Sequence, residues 1–149
     1  MTSVSNIAKE RRSGTQEMVA KLTAERAQMW ILYCQVAGLK GFVRDKPIPA
    51  LLQDFCQILI DYIASGHFIL YERIANGVER RKQVADLASQ LYARIAQSTQ
   101  VALDFNDKYE SEEHCERIET LSQDLSTLGE ELAVRIELED KLIEALKVN

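Results

Sequence analysis

"DYIASGHFILYER", residues 61–73, decides the fold. Its flanks have a helical pattern, yet Ser65-Gly66-His67 stands in the middle, and a glycine inside a helix costs about 1 kcal/mol relative to alanine. Either the helix ends here or one apolar stripe runs through. Tyr62 and Ile69 are seven residues apart, nearly two turns, so they share a face and the stripe keeps its phase across the glycine. The spacing predicts a continuous or mildly kinked helix carrying Leu52, Phe55, Leu59, Tyr62 and Ile69. Pro47 and Pro49 suit its first turn, where the missing proline donor has no helical partner anyway. Asn76-Gly77 ends it.

The rest of the chain follows the same grammar. Among 149 residues there are 6 Gly and 2 Pro, so turns are scarce and elements long. An earlier stripe runs through Met18, Val19, Leu22, Met29, Ile31, Leu32, Tyr33 and Val36, closed by Gly38, where a left-handed cap is cheapest. A third carries Val84, Leu87, Leu91, Ile95, Ala102 and Phe105. A fourth, opened by Ser111 as cap, carries Ile118, Leu121, Leu125, Leu128, Leu132, Leu142 and Leu146. The prediction is an all-α, mainly antiparallel four-helix bundle, one domain over 1–149, with helices near 15–37, 48–75, 81–108 and 112–147. Residues 1–14 are expected to be a frayed, flexible segment.

Composition narrows the function classes. No apolar run approaches the roughly 20 residues that span a bilayer, and "MTSVSNIAKERRSG" (1–14) lacks the apolar centre of a signal peptide. Cys34, Cys56 and Cys115 are odd in number and have no metal-type spacing, which fits reduced thiols in a cytoplasmic protein. The net charge of −5 is uneven: residues 1–100 carry 13 Lys/Arg against 9 Asp/Glu (+4), and residues 101–149 carry 5 against 14 (−9). An acidic half repels nucleic acid and attracts basic proteins; as a plain solvated helix face it serves solubility.

Charges interrupt three stripes: Arg26 on the first helix, Glu72 and Arg73 on the second, Arg135 and Glu139 on the fourth. Burying an unpaired charge is expensive, so these must be paired. One reading is a metal-binding or enzymatic bundle centred on His67, Glu72 and Glu139. Di-iron bundles use Glu-x-x-His, however, and Ala64 and Ser111 stand three before His67 and His114. Three of the five charges are arginines, which repel cations. The other reading is a structural polar layer of Arg26, Glu72, Arg73, Arg135 and Glu139, with Glu72 paired to Arg26 or Arg135. No nucleophile elbow, phosphate loop or Cys-x-x-Cys is present, and no catalytic residue, metal or cofactor is expected.

"DFCQILIDYIASGHFILYERI" (54–74), "LEDKLI" (138–143) and "LTAERAQMWILYCQVAGLK" (22–40) together resemble the Rsd/AlgQ family, bacterial regulators that bind the primary sigma factor of RNA polymerase. The resemblance covers about residues 15–146. It implies a helical bundle that acts as an anti-sigma factor: one to one binding of the primary sigma factor, at its promoter-recognising C-terminal region, limits association with core polymerase. It implies no direct DNA or membrane binding and leaves room for another regulatory protein as partner. The family's acidic and aromatic positions fall on Asp61 and Phe68. Asp54, Ile58, Asp61, Ser65 and Phe68 form a stripe beside the core stripe, and Met18 and Leu22 are expected to extend it from the first helix. An aromatic flanked by acids suits a basic, partly apolar partner; the competing reading puts Phe68 in the core.

Overall fold

The computed structural model describes residues 2–68, 81–111 and 118–147, with side chains over 14–68, 81–111 and 119–146. Four helices follow in order: α1 (Thr2–Ala37), α2 (Ile48–His67), α3 (Lys82–Tyr109) and α4 (Ile118–Lys147). No strand occurs among the described residues. Contacts between opposite ends give the topology: Ser65 of α2 reaches Glu25 of α1, Arg81 reaches the Leu146 carbonyl, and Tyr33 reaches the Leu125 carbonyl. Phe55 meets Phe105 edge-on at 5.7 Å. Every neighbouring pair is therefore antiparallel around one core.

That core follows most of the predicted stripes, with one correction: Ile31, expected on the first stripe, is 50% exposed, because it stands about 160° around the helix from Met29 and Tyr33, which take the inward face with Leu22 and Val36. Met29, Tyr33, Val36, Leu52, Phe55, Leu59, Tyr62, Val84, Ile95, Ala102, Phe105, Leu121, Leu125, Leu128, Leu132 and Leu142 are buried, with Leu87 and Leu91 packed at its edge. Cys34 and Cys56 are buried thiols outside any disulfide among the described residues, and burial pushes the Cys34 thiol up in pKa, towards its inert protonated form. Ile69, Cys115 and the expected helical turns at 69–75 and 112–117 lie outside the described residues.

One boundary is corrected. Helix α1 starts at Thr2 rather than near residue 15. Once nucleated, a helix extends at little cost per residue, and residues 2–17 contain no proline to stop it. Its other end is as expected: Gly38 has φ 69°, its N–H bonds to the Gln35 carbonyl, and the Leu39 N–H bonds to the Cys34 carbonyl. This Schellman pair closes the last turn. Arg44 folds back over it, donating from Nε to the Gln35 carbonyl and from Nη2 to the Val36 carbonyl.

Candidate docking face on α2 and the polar layer behind it

Helix α2 runs through the Ser-Gly-His segment: Phe68 keeps helical angles (φ −59°, ψ −47°), and its N–H bonds to the Ala64 and Ser65 carbonyls. The glycine is there for what lies beside it. A Cβ on Gly66 would sit 2.6 Å from Arg135 Nη2. The missing methyl is the room that the guanidinium occupies.

Arg135 is 1% exposed and Glu139 6%. One turn apart on α4, they form an ion pair, Nε to Oε2 at 3.1 Å. Arg135 Nη1 donates across to α3, to Thr99 Oγ1 at 2.7 Å, Ser98 Oγ at 3.1 Å and the Ile95 carbonyl at 3.4 Å. Glu139 Oε1 accepts from the Tyr62 hydroxyl at 2.6 Å and from Arg26 Nη1 at 3.4 Å. Arg26 also reaches Asp140 at 2.9 Å. Two arginines thus face two carboxylates, and the layer joins all four helices. Burial works against the Arg26 charge, but Asp140 and Glu139 outweigh it and hold its pKa above the ordinary value. Burial, and then the Glu139 carboxylate, push the Tyr62 hydroxyl far up, so it stays a proton donor. Both Glu139 oxygens are therefore engaged by arginine and tyrosine donors. Glu72 and Arg73 lie outside the described residues; Glu139 is the carboxylate that joins Arg26 to Arg135.

The outer stripe of α2 faces solvent. Phe68 is 57% exposed, so it is not core. Asp61 is exposed and accepts from Gln57 Nε2 at 3.3 Å. Asp54 is exposed and paired with Lys46 at 2.9 Å. Ile58 is partly buried against the core. Ser65 is half-buried and donates to Glu25 Oε2 at 2.6 Å, tying the stripe to α1. Met18 is likewise half-buried. Leu22 is a correction: at 2% exposure it belongs to the core. It is in phase with Met29, Tyr33 and Val36, and it lines a small cavity with Gly66, Ile95 and Arg135, out of a partner's reach. His67 is exposed on the same segment.

Some of the layer was missed in the sequence. Ser98 sits in phase with Ile95, Ala102 and Phe105, and a polar residue on an apolar stripe was the available signal. Tyr62 belongs to the apolar stripe by its ring, which is buried there, while its hydroxyl serves the layer. Gly129 had no signal at all: a Cβ there would collide with the Tyr33 ring and hydroxyl, which passes over α4 to the Leu125 carbonyl.

Comparison with known proteins adds an independent line. The family model described as "Regulator of RNA polymerase sigma(70) subunit, Rsd/AlgQ" matches residues 1–147. A protein named "Regulator of sigma D" from Yersinia enterocolitica is 32% identical over 143 residues, 91% of this chain and 83% of that protein. One of the same name from Shigella dysenteriae is 34% identical over 140 residues, 90% of this chain and 86% of that protein. No solved structure matches the chain.

Proposed function

The chain belongs to the Rsd/AlgQ family, regulators of the RNA polymerase sigma(70) subunit, and from that premise we propose that it is an anti-sigma factor that docks the primary sigma factor on the outer face of α2. The observation that carries the face is Phe68, a large aromatic left in solvent on the same helical stripe as Asp61 and Asp54. An apolar anchor flanked by carboxylates fits a basic partner with an apolar contact point. A promoter-recognising helix-turn-helix is such a partner, because its basic surface exists to meet DNA phosphates. One to one occupation of that surface withdraws sigma from promoter and core polymerase by mass action, with no turnover and no cofactor. The setting is the cytoplasm, where RNA polymerase works, and no described helix is long and apolar enough to cross a membrane.

Binding and stability measured on the same samples test this. Phe68→Ala should weaken sigma binding by about 2 kcal/mol or more, as loss of a hot-spot aromatic does. Asp61→Ala should weaken it too, and added salt should weaken the wild-type complex. Both variants should melt with the wild type, since both side chains are exposed. If Phe68→Ala and Asp61→Ala bind sigma with wild-type affinity, the docking face is elsewhere.

A further inference from the structure

Four of the seven exposed large apolar side chains among the described residues gather at the opposite end of α2 from Phe68: Ile31, Leu39, Phe42 and Val43. Leu39, Phe42 and Val43 stand on the connection 38–47, and Ile31 stands on α1, the helix that this connection leaves. Gln35, one turn beyond Ile31, donates from Nε2 to the Val43 carbonyl at 3.1 Å, which lays the connection 38–47 along the end of α1. The Leu39 carbonyl accepts from the Phe42 N–H at 3.1 Å. Val43 is 76% exposed, on a segment with no regular secondary structure.

This connection is held in place. The Schellman turn at Gly38, the two Arg44 bonds to α1 carbonyls and the Lys46–Asp54 pair fasten it at both ends. Apolar side chains on a fastened loop lose little entropy when covered, which favours binding. The patch also has a charge sign of its own. Residues 39–46 hold Lys40, Arg44 and Lys46 against Asp45 in a chain of net charge −5. Lys46 is taken up by Asp54, whereas Lys40 and Arg44 have no carboxylate partner among the described residues.

We propose that the end of α1 and the connection 38–47 form a second docking surface, for an acidic amphipathic segment of a protein partner. Its apolar residues would cover Phe42, Val43, Leu39 and Ile31, and its carboxylates would meet Lys40 and Arg44. The chemistry is the reverse of the α2 face, whose exposed charges are acidic. A second copy of the chain fits poorly: a two-fold interface would set Lys40 and Arg44 against their own likeness. An anionic membrane calls for a larger basic cluster, on the order of 4–8 residues.

A test uses the full chain with a labelled amphipathic peptide, leucines on one face and glutamates on the other, and its lysine counterpart. The glutamate peptide should bind saturably and shift the backbone resonances of Leu39, Phe42 and Val43. Val43→Asp should weaken it about tenfold, the loss of one well-covered apolar contact, and Lys40→Glu should weaken it measurably. Phe68→Ala should leave it unchanged, which separates this surface from the sigma reading. Circular dichroism should show both patch variants folded, as their side chains are exposed. The proposal is overturned if the lysine peptide binds as well, if the shifts fall elsewhere, or if neither peptide binds. It is equally overturned if only phosphatidylglycerol vesicles bind, or if the patch resonances move with protein concentration alone.

Discussion

Gly66 shows how one residue type serves a distant neighbour. In a solvent-facing helix, replacing glycine by alanine gains about 1 kcal/mol from helix propensity. Here the new methyl would meet Arg135 Nη2 at 2.6 Å, and the guanidinium is held on its far side by Ser98 and Thr99. Gly66→Ala should therefore destabilise the protein, by about 1–3 kcal/mol as overpacking does; a raised melting temperature would show that Arg135 yields easily. Arg135→Ala should cost about 3–5 kcal/mol, because Glu139 is left buried without its main partner. A combined Arg135→Leu/Glu139→Leu variant should recover much of that loss, since an apolar pair leaves no uncompensated charge. Chemical denaturation of the set measures all three.

At the scale of elements, the α3–α4 corner has its own polar clasp. Asp124 accepts from Lys108 Nζ at 2.7 Å and from the Tyr109 hydroxyl. Partial burial works against its charge, but Lys108 and Tyr109 outweigh it and hold its pKa below the ordinary carboxylate value. A carboxylate whose pKa is lowered by folding stabilises above its unfolded pKa, about 3.9, and that contribution disappears as pH falls through the folded value. Asp124→Asn should thus be less stable than wild type at pH 6, with the gap closing below about pH 4. A gap that stays constant down to pH 2 would mean that the loss is one of packing and not of charge.

At the scale of the whole molecule, one layer of Arg26, Tyr62, Ser98, Thr99, Arg135 and Glu139 ties all four helices, so no helix pair should unfold alone. Trp30, the single tryptophan, stacks on Tyr33 at 4.9 Å and reports on α1. Its fluorescence and the far-ultraviolet helix signal should fall in one coincident urea transition; an early fluorescence change would show α1 detaching first. The sequence by itself determined that there are four helices, their antiparallel order and most of the inward residues, because a 3.6-residue period and scarce Gly and Pro are local signals. It also placed Asp61 and Phe68 on one stripe, since spacing along a helix fixes direction. Only the tertiary structure decided which way the ambiguous residues went. Leu22 and Phe68 are both apolar residues in helices, yet one is core and the other is exposed. Glu139 is joined to Arg26 and Tyr62, residues more than seventy positions away in the chain. Gly66 and Gly129 are there for side chains on other helices. A period states which face a residue occupies; which neighbour meets that face depends on how the helices rotate against one another, and close packing of all four at once settles it.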